Sequence, residues 1–176
     1  AAAFLADAEP GENRVIAPLN TYMAMAMLSE TAAGDTQREL LKLLGERDIE
    51  ALRKNANGLF RGTCVDDGLT TCLLNASLWL NRNCTYKKET LNVLRDDYYA
   101  SVYAGEMGSS DFGDDFRAWL NYATGGLLQD SLNGAAFDPL DIAVLCSTLQ
   151  FNAKWENNVI LNEQPGVFHG TLYDRE

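Results

Sequence analysis

The stretch from Asn13 to Gly45, NRVIAPLNTYMAMAMLSETAAGDTQRELLKLLG, contains two helix patterns in succession. The first, Leu19 to Ala32, is apolar on every side and holds three of the four methionines of the chain. A helix that is apolar all round is one that other parts of the protein surround. The second has leucines along one face, with Thr36-x-x-Glu39 as a predicted capping box and Gly45 as the predicted stop. The stretch therefore predicts a buried helix followed by a short amphipathic one.

Periodicity and turn residues predict the remaining elements. Helices are expected over Ala3–Ala8, Asp48–Phe60, Tyr86–Tyr99 and Asp111–Thr124, the last with Ser110 as N-cap. Strands are expected over Arg14–Ala17, Thr70–Leu80, Ala100–Glu106, Asp141–Phe151 and Gly166–Thr171. The run DIAVLCSTLQF from Asp141 to Phe151 is almost continuously apolar, which is typical of a strand covered on both faces in the middle of a sheet.

Composition excludes several classes of partner. The chain has 176 residues, 47% of them hydrophobic and 22% charged, which is globular and fits one domain or a fragment of a larger one. The net charge is −11 and no basic cluster occurs, so neither nucleic acid nor an anionic membrane is an expected partner. The apolar runs are too short for a membrane span, and no signal peptide is visible at the N-terminus.

The cysteines and the histidine do not form a recognisable metal or catalytic motif. Cys64, Cys72, Cys84 and Cys146 include no C-x-x-C pair, and His169 is the sole imidazole, so neither a metal site nor a cofactor is expected. Cys72 and Cys146 lie in apolar runs and are predicted to be small buried hydrophobes. Cys64 and Cys84 flank one strand and pair only if the compartment is oxidising. No nucleophile motif accompanies His169, so an enzyme is disfavoured.

A family resemblance comes from the order of several motifs. VIAPLN is followed by a buried helix containing MAMLSE and by AAGDT-x-x-ELLKLLG, and NASLWL and LCSTLQFNAKW come later in the chain. DYYASVY and the segment AWLN…TGGLL lie between these last two motifs. This series resembles the serpin family over essentially the whole chain. In serpins the early helix lies behind a large central sheet. The methionines then fill a packed core, or they fill a site where the sheet must shift.

The resemblance implies an α+β fold, with helices packed around a large central mixed β-sheet. Residues 1–176 would form the N-terminal part of a single serpin domain, with the C-terminal part and its reactive loop absent. Serpins inhibit serine proteases, and some cysteine proteases, through a bait loop that is cleaved and inserts as a new strand. The new strand would lie beside Ile142–Phe151. The implied partners are a target protease and the missing C-terminal segment, and the implied location is extracellular.

The resemblance also points to positions that govern sheet opening. Under the central sheet, serpins keep a polar cluster whose members align here with Ala17, Asn20 and Ser147. One hydroxyl is thereby lost, and a hydrogen bond between Asn20 and Ser147 would restore a buried polar pair. Trp155 aligns with the tryptophan where the loop first enters the sheet; alternatively, it is a large core side chain. None of these residues is expected to be catalytic.

Three further consequences follow from the altered cluster and the absent C-terminal part. A non-inhibitory serpin relative, acting as a binding or structural module, remains the alternative to an inhibitor. The chain alone is expected to be unable to inhibit, because the bait loop is outside it. It is also expected to leave one edge of the Ile142–Phe151 strand unpaired, which predicts an aggregation site. The target protease and the state of the four cysteines stay open.

Overall fold

The computed structural model describes residues 16–155, 168–169 and 174–175. Within these residues the α-helices are α1 (Pro18–Thr31), α2 (Gly34–Leu44), α3 (Ile49–Thr63), α4 (Lys88–Tyr98) and α5 (Ser110–Ala123). A 3-10 helix covers Gln129–Gly134. The strands of the main sheet are β1 (Val65–Asp66), β2 (Thr70–Asn81), β3 (Ser101–Gly105) and β4 (Ala143–Ala153). A separate antiparallel hairpin pairs β5 (Phe168–His169) with β6 (Asp174–Arg175).

The main sheet is mixed and is built around β2. Strand β4 runs antiparallel to β2 over its whole length, from Thr70 opposite Ala153 to Leu80 opposite Ala143. Strand β3 pairs with the second half of β2 in parallel, and β1 pairs antiparallel with its first half. Because β4 occupies one entire edge of β2, β1 and β3 must share the other. The α+β class and the mixed sheet that were expected are confirmed.

Helix α1 packs into a core behind the sheet, which we call the rear core. Met23, Ala26 and Met27 are fully buried there. They meet side chains from β2, α3 and α4: Leu74, Ala76, Leu78, Leu80, Leu52, Ala56, Leu94 and Tyr98. The prediction that α1 is surrounded on every side is wrong, because Leu28 is 40% exposed. A groove of about 700 Å³ runs along this uncovered side, between α1, the start of α4 and the start of β4.

A second core, the front core, lies on the opposite face of the sheet. Its centre is Trp79, which is fully buried. The residues before and after it in β2, Leu78 and Leu80, point the other way, into the rear core. The ring is surrounded by aromatic side chains from β3, α5 and the segment that follows: Tyr103, Phe112, Phe116, Trp119 and Phe137. Strand β2 is therefore covered on both faces, as its alternating pattern indicates.

Strand β4 differs from its prediction in two respects. It begins and ends two residues later than the predicted run, and it is not covered on both faces. Phe151 within it is 66% exposed, and Ile142 just before it is 64% exposed. In the part of the chain that the structure describes, β4 pairs with β2 alone, so its outer edge has no partner strand. An apolar run predicts a strand that is buried by other segments, but it does not identify the segments that bury it.

Helix ends were predicted with mixed success. Gly45 ends α2 in the left-handed conformation, with φ of 74°, as expected. The capping box is wrong: α2 starts at Gly34, and Thr36 lies inside the helix. Ser110 is not the N-cap of α5, because the hydroxyl of Ser109 accepts the hydrogen bond from the Phe112 N–H at 3.3 Å. Ser109 and Ser110 are equally good N-cap candidates by sequence. The backbone conformation at the start of the helix decides which of them is the N-cap.

The pairing of Cys64 with Cys84, which the sequence leaves open, is not formed. Cys64 lies near Leu74, with its sulfur 4.0 Å from the Leu74 carbonyl oxygen, whereas Cys84 follows the far end of β2 at Asn81. The seven residue steps along β2 from Leu74 to Asn81 span about 23 Å, far beyond the ~7 Å between Cα atoms that a disulfide permits. All four thiols are free. Burial raises the pKa of the Cys146 thiol to about 11, which disfavours its reactive thiolate form.

Several expectations concern the ends of the chain. The helix predicted over Ala3–Ala8 lies outside the described residues, and so does the first half of the strand predicted over Arg14–Ala17; residues 16 and 17 are not in a strand. The short strand predicted within Gly166–Thr171 is present at Phe168–His169. No helix in the described ranges is long and apolar enough to cross a membrane. The described acidic, cysteine and histidine side chains form no group of three or more that could hold a metal ion.

Candidate functional site

The first turn of α1 is joined to the middle of β4 by a reciprocal pair of hydrogen bonds. The side-chain amide of Asn20 donates to the main-chain oxygen of Ser147 over 2.8 Å, and the Ser147 hydroxyl donates to the amide oxygen of Asn20. Both residues are half-buried. The hydrogen bond that sequence analysis predicted between them is therefore present, and it satisfies both ends of the amide group.

Ala17, the third position of the predicted polar cluster, makes no side-chain hydrogen bond. It is the N-cap residue of α1, where its carbonyl oxygen accepts from the Thr21 N–H at 3.2 Å. Pro18 follows at the first helical position, which suits a residue without an N–H. The cluster thus contains one polar pair instead of three polar groups. Whether this pair governs the opening of the sheet stays a prediction.

A second set of polar contacts, which the sequence analysis missed, joins the opposite face of the sheet to α5. Thr148 follows Ser147 in β4 and therefore points to the other face. Its hydroxyl donates to the Ala123 carbonyl oxygen over 3.4 Å, and the Asn75 amide donates to the same oxygen over 3.1 Å. Asn75 and Thr148 lie opposite each other in β2 and β4. Asn75 within the apolar β2 sequence could have indicated this contact, because a buried side-chain amide needs a hydrogen-bond partner.

The end of α5 lies close against β4. Gly125 follows the helix with φ of 59°, and a Cβ atom there would stand 2.6 Å from the amide nitrogen of Gln150. The left-handed conformation therefore favours glycine, and a larger residue would also have to displace the end of the Gln150 side chain. Two neighbouring residues of β4 thus make polar contacts on opposite faces of the sheet: Ser147 with α1 and Thr148 with the end of α5. The arrangement can hold the outermost described strand in place without apolar cover on its outer edge.

Trp155 lies two residues beyond the end of β4 and is 82% exposed. The alternative reading of this residue as a core side chain is therefore wrong in this chain. The adjacent Lys154 N–H donates to the Leu69 carbonyl oxygen over 3.0 Å, which continues the β2–β4 pairing to the end of the strand. The structure places Trp155 far along β4 from Ser147, and does not bring the two together. Its role in receiving a loop stays a prediction.

Removing one partner of the Asn20–Ser147 pair is expected to destabilise the chain by about 1–2 kcal/mol, because each substitution leaves a part-buried polar group without its partner. Asn20→Ala, Ser147→Ala and the double variant should be measured by urea unfolding. The double variant should be less destabilised than the sum of the two, since the contact is lost only once. Thr21→Ala, at the exposed face of the same turn, is the control. Strict additivity would show that the pair does not interact.

The geometry defines a class before any comparison: an α+β protein with helices on both faces of a mixed sheet, in which β4 has no second partner strand among the described residues. The family model described as "Serpin (serine protease inhibitor)" matches residues 2–170. The chain belongs to the serpin family.

Curated relatives come from distant organisms. The chain is 27% identical over 152 residues to putative serpin-Z12 of Oryza sativa subsp. japonica, covering 82% of this chain and 34% of that protein. It is 29% identical over 153 residues to an uncharacterized serpin-like protein of Pyrobaculum aerophilum, covering 82% and 36%. It is 26% identical over 167 residues to the leukocyte elastase inhibitor of Bos taurus, covering 89% and 42%. The chain therefore spans less than half the length of these relatives.

Solved structures support the same fold. A thermophilic serpin, tengpin, in the latent state matches with a TM-score of 0.81 at 22% identity, over 98% of this chain and 47% of that one. The Arabidopsis serpin AtSerpin1 in its native stressed conformation matches with a TM-score of 0.79 at 18% identity, over 94% and 44%. Ovalbumin from emu matches with a TM-score of 0.77 at 16% identity, over 93% and 47%. At these identities the likeness establishes the fold alone.

Proposed function

We propose that this chain is the N-terminal part of a serpin domain that, in the complete protein, inhibits serine proteases by bait-loop cleavage and strand insertion. The single observation that carries the proposal is the free outer edge of β4. This strand is long, it is fixed on its inner side by pairing with β2, and its outer backbone groups have no partner among the described residues. Such an edge is a template for an added strand.

Insertion at this edge supplies the energy for inhibition. Every second residue of a new strand exchanges backbone hydrogen bonds with β4, and exposed side chains such as Phe151 gain cover. A sheet that lacks this strand before cleavage and gains it afterwards can drag an attached protease with it. The Asn20–Ser147 pair would hold β4 to α1 while the sheet rearranges beside it.

The C-terminal segment of the same protein is the second proposed partner. The groove along α1 is lined by apolar side chains such as Met25, Leu28, Ile142 and Leu145, and it adjoins the start of β4. Relatives in the family are more than twice as long as this chain, and the part beyond the matched region would supply the cover. On this proposal the chain alone does not inhibit, because the bait loop belongs to that part.

The target is proposed to be a serine protease, or a cysteine protease, and the location to be extracellular. Both follow from the family and not from a residue of this chain. One relative carries the name leukocyte elastase inhibitor, which describes that protein. No catalytic step is assigned to the chain itself, since a serpin is the substrate of the protease that it traps.

The second candidate is a non-inhibitory serpin that acts as a binding or structural module. One observation favours it: Ala17 removes a polar group from the cluster under the sheet. A structural neighbour is human thyroxine-binding globulin in complex with a small-molecule ligand, so the fold also occurs in a protein named for binding.

The test is to express the complete protein and incubate it with a panel of serine and cysteine proteases. An inhibitor is expected to form a complex that survives boiling in detergent, because the bond to the protease is covalent. The same protease with its nucleophile chemically blocked is the control and should form no such complex. Simple cleavage of the protein by every protease, with no stable complex, would favour the non-inhibitory candidate.

A further inference from the structure

The edge strand on the other side of the sheet also has a free edge. Within residues 16–155, β3 pairs with β2 alone, from Ser101 opposite Ser77 to Gly105 opposite Asn81. Residues 101–104 are all exposed, and Val102 and Tyr103 each expose 36% of their surface. An exposed edge with unpaired backbone groups can add a strand from another chain.

A groove of about 800 Å³ lies beside this edge, between β3 and α4. Its walls combine the strand with one face of the helix, including Leu91, Asn92 and Tyr99. Tyr99 is held in the left-handed conformation, with φ of 55°, and stacks on Phe60 with ring centres 4.3 Å apart. The groove therefore has a fixed apolar side chain at one end and a row of backbone groups along one wall.

The charge of the groove is opposite to that of the whole protein. Lys88 and Arg95 line it, and none of the carboxylates in the described part of the chain does, whereas the chain carries a net charge of −11. Arg95 contacts Asp96 with 2.8 Å between its Nε and a carboxylate oxygen, but both side chains are more than 60% exposed, at 62% and 61%. An exposed ion pair of this kind contributes little to stability. Arg95 can therefore exchange this contact for a carboxylate of a ligand.

We propose that this groove is a docking site for an extended, acidic peptide segment of a partner protein, which adds as a strand to β3. The strand edge supplies backbone hydrogen bonds, and Leu91 and Tyr99 supply apolar contact. Lys88 and Arg95, placed about two helical turns apart on α4, bind acidic side chains of the peptide. The site is independent of the proposed inhibitory function, because loop insertion occurs at β4, on the opposite side of β2.

The probe is a short synthetic peptide that alternates glutamate and valine and carries a fluorescein label, and binding is read by anisotropy. The full chain is compared with the variant Lys88→Glu/Arg95→Glu. Reversal of both charges is expected to weaken binding at least about tenfold, the equivalent of ~1.4 kcal/mol. The matched control is Lys42→Glu/Lys54→Glu, which makes the same change in net charge at exposed positions outside the groove. The control should lose much less affinity.

Two further probes separate strand addition from simple charge attraction. The same peptide with alternate backbone nitrogens methylated keeps its charge but loses its hydrogen-bond donors, and it should bind at least about tenfold more weakly. Tyr103 stacks on Trp79 with ring centres 4.3 Å apart, so binding should also change Trp79 emission in a variant carrying Trp119→Phe and Trp155→Phe.

Three outcomes would overturn the proposal. Equal binding of the methylated peptide would show that no strand is added. Equal loss of affinity in the two charge-reversal variants would show non-specific attraction. Self-association of the chain that the Lys88→Glu/Arg95→Glu variant abolishes would identify a second copy as the occupant. Circular dichroism of each variant confirms that it is folded before its binding is compared.

Discussion

Replacing Arg53 with methionine is expected to lower the free energy of unfolding by about 3 kcal/mol. The Glu30 side chain is only 3% exposed and accepts two hydrogen bonds from the Arg53 guanidinium, each 2.8 Å long, and a third from the Tyr98 hydroxyl at 2.9 Å. This network joins α1, α3 and α4 behind the sheet. Without Arg53 the buried carboxylate loses its counter-charge. Because Arg53 is itself 34% exposed, we expect the low end of the usual range.

The control for this prediction is Arg38→Met. Arg38 also pairs with an acidic residue, Asp35, but both side chains are largely exposed, at 73% and 84%. Its loss should cost less than about 1 kcal/mol. Replacing Glu30, Arg53 and Tyr98 together by leucine, methionine and phenylalanine should recover most of the loss, because no polar group is then left unpaired. Urea unfolding measures all three variants. Equal stability of the Arg53→Met and Arg38→Met variants would contradict the prediction.

Replacing Trp79 with alanine is expected to lower the free energy of unfolding by about 3–5 kcal/mol. Trp79 is fully buried at the centre of the front core, with the Phe112, Phe116 and Phe137 rings at 5.2, 5.1 and 5.6 Å between centres. Its indole N–H donates to the Ser77 hydroxyl over 2.8 Å, and Ser77 is also fully buried. The substitution therefore opens a cavity and removes the partner of a buried hydroxyl.

Trp155→Ala is the matched control, since it removes the same side chain where it is 82% exposed. This variant should change the free energy of unfolding by no more than about 0.5 kcal/mol. Thermal and urea unfolding, followed by far-UV circular dichroism, compare the two. A loss below about 1 kcal/mol for Trp79→Ala would mean that the front core does not depend on the aromatic cluster.

Local patterns predicted most of the fold. The alternating pattern of β2 predicts Leu74, Ala76 and Leu78 on one face and Trp79 on the other, and the two cores confirm it, because a strand with cover on both faces retains a strict side-chain period. The helix of α5 followed from its regular aromatic and aliphatic spacing. The Asn20–Ser147 contact followed from aligning two motifs of one family, since spacing alone cannot join residues 127 positions apart.

Predictions from the sequence were wrong or missing where the burial or the contact of a residue depends on a distant part of the chain. Leu28 and Phe151 belong to apolar patterns, but their exposure depends on whether another segment covers them. The Cys64–Cys84 pairing, which the sequence leaves open, is absent because the length of the strand separates the two residues that flank it. The Glu30–Arg53–Tyr98 network could not be found from periodicity, because its members lie 23 and 68 positions apart and each is unremarkable on its own helix.

The central proposal is that the free edge of β4 receives an inserted strand in the complete protein. The most direct measurement is the thermal unfolding temperature of that protein before and after its bait loop is cleaved by a protease. A sheet that gains a strand becomes more stable, so Tm is expected to rise strongly after cleavage, with both fragments still associated. An unchanged or lower Tm after complete cleavage would contradict it.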